Sequence, residues 1–130
     1  MRRKSVNFTN AIHWVSSNYP DLYVLCQRIT LVPKNNIWYG LYVPPVNFCP
    51  MASKQVPAHF RQSSIWIARY NQSIGRYIET IVHELTHAAQ DIQYPQVAWL
   101  LKFNEDEAEQ AGREALQRYL TQDRRPKSQT

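Results

Sequence analysis

The chain has no apolar run approaching the ~20 residues that a membrane helix requires. Its basic start, Met1 to Lys4, leads into no apolar stretch of the kind a secretory leader carries. These two absences set the expectation of a cytoplasmic protein without a membrane association. Cysteine is scarce: Cys26 and Cys49 stand alone, with no CxxC between them. They read as a buried thiol pair in a reducing compartment, with a disulfide left open. Acid is nearly missing from the first half. Residues 1–65 hold seven Lys/Arg against Asp21 alone, whereas residues 66–130 hold eight against nine acids. No internal repeat and no long low-complexity linker divides the sequence. A chain of 130 residues with 44% hydrophobic content fits one folded domain spanning 1–130, with short basic tails at about 1–5 and 122–130.

Against that background one motif stands out. His83, Glu84 and His87 lie in the run HELTH, an HExxH pattern. Residues four apart share a helix face, so both imidazoles can reach one ion. Glu84 beside them is placed to take a proton from a water activated there. The plainer alternative is a chance match on an ordinary helix. The surrounding pattern weighs against it. Over residues 75–93 the apolar positions Ile78, Ile81, Val82, Leu85, Ala88, Ala89 and Ile92 keep the spacing of an amphipathic helix. At about 100° per residue, both histidines lie roughly opposite the centre of that stripe, facing solvent or a second layer.

A tetrahedral catalytic zinc takes three protein ligands and keeps one position open. The pattern HExxHxxGxxH is excluded because Gln90 and Gln93 stand where it needs Gly and His. His13 and His59 are upstream and carry no spacing signal. The downstream acids cluster in Asn104-Glu105-Asp106-Glu107-Ala108-Glu109. Asn104 reads as a helix N-cap and Glu107, three residues on, as its capping-box partner. In the helix expected over about 104–120, Glu105 and Glu109 flank the apolar stripe in line with Gly112 and Leu116. A carboxylate on a packing face is costly unless it is paired or bound to a metal. Glu105 is therefore the expected third ligand and Glu109 the expected partner that orients a ligand histidine, with Glu109 and Glu107 next in order as ligands. The simpler role for Glu105 and Glu109 is to favour the positive end of the helix dipole as surface charges.

HELTH followed by NEDEAE resembles the gluzincin arrangement of thermolysin-like peptidases, in which HExxH is followed on a later helix by Asn-Glu-x-x-Ser-Asp. Ala108 and Glu109 depart from the last two positions. The spacing is also similar to the small ImmA/IrrE-type metallopeptidases. The resemblance covers about residues 65–120 and implies zinc held by His83, His87 and Glu105, with Glu84 as general acid/base and Glu109 orienting a histidine. It offers no match for an oxyanion-stabilising residue. Tyr77 and Tyr94 are near in sequence, and nothing selects between them.

The remaining pattern predicts a helix over 7–18, ended by Tyr19-Pro20-Asp21, and a strand over 23–32 whose first half also suits a helix. A turn at 33–36 precedes a strand over 37–43. Pro44-Pro45 opens a loop with Phe48, Cys49 and Pro50, a strand follows over 63–70, and a short apolar bridge, helical in pattern, covers 97–103. The fold class is α+β and zincin-like: a small twisted sheet against the HExxH helix, closed by a C-terminal ligand helix. Strand 63–70, which enters the HExxH helix directly, is the expected free edge for an extended peptide, with Trp66 or Arg69 within reach of it and core packing the favoured role for Trp66.

The expected function is zinc-dependent peptide-bond hydrolysis on a protein or peptide, with narrow regulatory cleavage of one partner as a variant. A small hydrolase acting on a non-peptide amide is a neighbouring class. The alternative is a catalytically silent, zinc-stabilised module that binds nucleic acid or protein. Basic groups interleaved with aromatics such as Trp14, Tyr23, Trp38 and Phe60 suit single-stranded nucleic acid. Such aromatics serve more often as core and strand residues, so nucleic acid is not the favoured partner.

Overall fold

A computed structural model describes residues 3–26, 28–34, 37–43, 64–70, 73–93 and 105–123. The predicted loop at 44–50, the bridge at 97–103, the cap Asn104, and His59, Cys49 and Tyr94 lie outside them. The elements, in chain order, are α1 (Arg3–Asn18), α2 (Pro20–Tyr23), β1 (Arg28–Pro33), β2 (Gly40–Val43), β3 (Ser64–Arg69), α3 (Ile74–Gln93) and α4 (Glu105–Asp123). Among the described residues the architecture is α+β with a three-stranded mixed sheet. Among the described residues, no helix is long and apolar enough to cross a membrane.

α3 is the central element. Ser73 caps it, its hydroxyl accepting the Arg76 backbone N–H at 3.2 Å, which satisfies one of the unpaired donors of the first turn. Its stripe of Ile78, Ile81, Val82, Leu85 and Ala88 is fully buried. Each large aliphatic side chain so buried stabilises by roughly 1.5–3 kcal/mol. Against this stripe pack the sheet residues Ile65 and Ile67 and the α1 residues Ala11 and Val15, all with no exposed surface. Phe8 of α1 meets the Tyr77 ring edge-on at 5.7 Å.

The chain around Pro20 does more than end α1. Proline fits the first position of a helix, where its missing N–H is not needed, and here it opens the short α2. β1 is correspondingly shorter than the predicted strand and starts at Arg28. β2 also starts late, at Gly40.

The sheet order corrects one expectation. β3 is not an edge: it lies between β1, to which it is parallel, and β2, to which it is antiparallel. Its burial shows why, since four of its six residues, Ser64, Ile65, Ile67 and Ala68, are buried. The near-continuous apolar run Ile65 to Ala68 fits a strand covered on both faces. Among the described residues the outer strands are β1 and β2, and β2 is the one beside the HELTH segment.

α4 packs on α3 through small residues. Ala108 and Ala115 have no exposed surface and Gly112 is buried. A Cβ at Gly112 would stand 2.7 Å from the Glu79 backbone oxygen of α3, so only glycine permits this approach. The face 105-109-112-116 read from the sequence is therefore the face toward α3. The C-terminal end of α4 is fixed to α1. The Trp14 indole N–H donates to Gln122 Oε1 at 2.9 Å, and the Gln122 amide donates to Asn18 Oδ1 at 3.2 Å.

Candidate metal centre

Two helices bring the site together. α3 supplies His83 and His87, one turn apart, with ring centroids 5.0 Å from each other. α4 begins at Glu105 and lays that carboxylate across both rings. His83 Nε2 is 3.1 Å from Glu105 Oε1, and His87 Nε2 is 3.2 Å from Glu105 Oε2. One ligand atom from each of the three residues lies within 4.8 Å of the other two. His87 is buried, His83 half-buried and Glu105 exposed. Among the described residues, these are the three that converge in this way, and they are placed to hold a metal ion. Two imidazoles and a carboxylate are a donor set suited to a borderline divalent ion.

The faces of the two helices explain the convergence. The histidines lie away from the apolar stripe of α3, and α4 covers the side they face. Burial pushes the His83 imidazole below its ordinary pKa, the nearby His87 acts in the same direction, and Glu105 opposes both. A neutral imidazole is the form that binds metal.

Glu84 lies between the site and β2, its Oε2 4.0 Å from His83 Nε2 and its side chain against Gly40. Only 7% of it is exposed. Burial raises its carboxyl to about 8, the charge on Glu105 adds to the rise, and a hydrogen bond from the Tyr42 backbone works against it. A carboxyl that titrates near neutral pH can exchange protons in both directions, which general acid–base chemistry requires. Glu84 and His83 open onto a cleft of about 810 Å³ bounded by Tyr39 and Gly40 on one side and by Glu109 of α4 on the other. Gly40 is what lets β2 come this close. A Cβ there would stand 2.7 Å from Thr80 Cγ2 and 2.9 Å from Glu84 Cγ.

The other predicted residues are distributed as follows. Glu109 lines the cleft and contributes to the charge around His83, with its carboxylate 3.4 Å from the Arg113 guanidinium. Glu107 accepts a hydrogen bond at 2.8 Å from Gln90, and Gln90 Oε1 is 3.0 Å from His87 Nδ1. Tyr77 is in the core, its hydroxyl donating to the Tyr70 carbonyl oxygen at 2.8 Å, away from the cleft. His13 is exposed on α1. The Cys26 thiol donates to the Arg28 carbonyl at 3.2 Å.

Three features went unread in the sequence. Gln90 stands where the HExxHxxGxxH pattern needs glycine, and its place three residues after His87 puts it on the same helix face. Asp91, one turn after His87, is an acid inside a buried helix, and that signal was available. Gly40 carries no sequence signal of its own, because what it approaches lies on another element. No family model matches the chain, and no curated protein or solved structure matches it significantly.

Proposed function

We propose that the chain is a small zinc metallopeptidase of gluzincin-like, zincin-type architecture, with zinc held by His83, His87 and Glu105 and with Glu84 as general acid/base. The observation that carries this reading is the placement of Glu105. It comes from a separate helix, 18 residues beyond His87 in sequence, yet its two oxygens meet the Nε2 atoms of both motif histidines. Chance HExxH motifs have no reason to recruit a distant carboxylate to both rings.

When bound, zinc supplies a lowered pKa for a water, toward ~7, and polarises the carbonyl to be attacked. The chain's own residues supply the rest. Glu84, raised by burial in the metal-free chain, ionises more readily beside a cation. Its carboxylate accepts the proton of the attacking water and returns it to the leaving amine nitrogen. The Tyr42 backbone holds the Glu84 side chain toward β2. β2, as the outer strand next to the cleft, replaces β3 as the strand with which an extended peptide would pair, through main-chain hydrogen bonds that demand little of its sequence.

The substrate is a peptide bond in a protein, with narrow cleavage of one partner the expected style for a domain of this size. The test combines metal analysis with hydrolysis. Purified protein should contain or take up about one zinc per chain, the content expected of a single catalytic site. It should cleave an unfolded polypeptide or a co-purifying partner protein, and a chelator should stop the cleavage. Absence of any divalent ion after reconstitution removes the reading.

A further inference from the structure

His87 has two ring nitrogens, and the structure uses both. Nε2 faces Glu105, and Nδ1 faces Gln90 Oε1 at 3.0 Å. Which of them carries hydrogen follows from the next residue along. Glu107 Oε1 lies 2.8 Å from Gln90 Nε2. An ionised carboxylate only accepts hydrogen bonds, so the amide must present its NH2 to Glu107 and its oxygen to His87. The amide oxygen also only accepts, so His87 must donate from Nδ1. That leaves Nε2 as the nitrogen free to offer a lone pair. Nε2 lies 3.2 Å from Glu105 Oε2, so both atoms are placed to offer lone pairs to one metal ion.

We infer that Gln90, oriented by Glu107, is a positioning residue of the metal centre. The pair fixes His87 in the Nδ1-protonated form and aims Nε2 at the ion. This gives Glu107 a role other than capping and places the histidine-orienting carboxylate at Glu107, acting through Gln90, instead of at Glu109. It also ties α3 to α4 on the side of His87 away from Glu105. The relay keeps the usual logic of metal-ligating histidines, whose second nitrogen donates to an acceptor that sets orientation and basicity. Its difference is that a neutral amide takes the acceptor's place and passes the orientation on to a carboxylate of the neighbouring helix.

The inference rests on the proposed site, and the experiment separates the two. Zinc affinity is measured by chelator competition for the unsubstituted chain, Gln90→Ala, Glu107→Ala, and the double variant Gln90→Glu with Glu107→Gln. The unfolding midpoint of each metal-free form is recorded alongside. Gln90→Ala should bind zinc about 10- to 100-fold more weakly, the usual effect of losing such a partner. Glu107→Ala removes an exposed side chain, so it leaves the fold intact and keeps the test open if Gln90→Ala unfolds. It should weaken binding in the same direction by a smaller factor. The double variant exchanges acceptor and donor while keeping the order of hydrogen bonds, because the new carboxylate accepts from both His87 and the new amide. It should recover most of the lost affinity. A purely structural role would not give that recovery. Equal zinc affinity in Gln90→Ala and the unsubstituted chain overturns the relay alone. An unsubstituted chain that binds no zinc overturns the site itself.

Discussion

Tyr42 and Asp91 join the outer strand of the sheet to the helix that carries both histidines. The Tyr42 hydroxyl donates to Asp91 Oδ2 at 2.9 Å, with 6% of Tyr42 and 1% of Asp91 exposed. Among the described residues, the second carboxyl oxygen, Oδ1, is buried without a hydrogen-bond partner. Burial raises the Asp91 carboxyl above the ordinary carboxylate range and the tyrosine hydrogen bond pulls it back. Removing the hydroxyl therefore leaves a buried carboxyl with neither oxygen satisfied, a loss that costs about 1–3 kcal/mol. Tyr42→Phe should lower the unfolding free energy, read from denaturant unfolding, by that amount. Replacing Asp91 by leucine in the same chain should recover part of it, because no buried polar group is then orphaned. An unchanged midpoint in Tyr42→Phe would mean that the pair contributes nothing.

Glu84→Gln separates binding from chemistry. The amide fills the same volume beside β2 but cannot accept a proton from water. Hydrolysis should fall by roughly 10²–10⁴-fold, the range for a lost general base, while zinc content stays at the unsubstituted level. Full activity in this variant would sink the assigned mechanism even with the metal in place.

The proposed ligands His87 and Glu105 and their neighbour Glu109 should rank differently. His87→Ala removes a buried ligand, and zinc should be lost along with activity. Glu105→Ala should also weaken zinc strongly, because Glu105 meets both rings. Glu109→Ala should leave zinc affinity near its starting value, since its carboxylate is paired with Arg113. Its place in the cleft wall predicts a change in KM instead. Zinc loss in Glu109→Ala as large as that in Glu105→Ala would reverse the ligand assignment.

The helices were the most legible part of the chain. Periodicity over 75–93 marks α3 within one residue of its start, because a long stripe of Ile, Val and Leu is a strong repeated signal. The same stripe set the histidines apart from the core, and the capping pattern near residue 104 marked where α4 begins. The sheet was less legible, since strand order depends on pairing between distant segments. Ser64 to Arg69 carries no mark that says whether it has one neighbour or two. The site was half legible for a related reason. HELTH and Glu105 are written in motif and helix face. The Gln90–Glu107 contact, the Tyr42–Asp91 pair and the Gly40 approach each need two elements to meet. A local pattern can show an unexpected acid or glutamine but not what it will touch.

The metal-free protein should lose stability as pH rises through neutrality. Glu84 has an ordinary carboxyl value of 4.5 and titrates at about 8 when folded. The folded chain thus holds a proton that the unfolded chain has released, so stability is full below about pH 4.5 and falls as pH climbs toward 8. Each pH unit in that window is worth about 1.4 kcal/mol. Asp91, also raised by burial, acts in the same direction. His83, lowered by burial, acts in the opposite direction below its ordinary 6.5. Unfolding midpoints of chelator-treated protein between pH 5 and pH 8 should therefore decline. The decline should flatten in Glu84→Gln, which has no proton to lose. A slope that is the same in both proteins would assign the pH dependence elsewhere.

Gly112 couples the packing of α4 to the integrity of the site. His83 and His87 are on α3 and Glu105 is on α4, so the three ligands stay together only while the helices keep their spacing. A methyl at Gly112 would meet the Glu79 carbonyl oxygen at 2.7 Å and its Cγ at 3.3 Å. The oxygen belongs to the backbone of a buried helix and cannot swing aside, so α4 must move outward. Overpacking of this kind costs about 1–3 kcal/mol. Gly112 is two turns from Glu105 along α4, so an outward shift there also carries the carboxylate away from the two imidazoles. Gly112→Ala should therefore lower the unfolding midpoint and weaken zinc binding together, although it touches neither the ion nor any ligand. Ala111→Gly, on the adjacent and partly buried position, serves as the control. It removes helix propensity worth roughly 1 kcal/mol without adding an atom between the helices, so it should cost stability with little change in zinc affinity. Equal zinc affinity in Gly112→Ala and the unsubstituted chain would show that the ligands hold their geometry independently of this crossing.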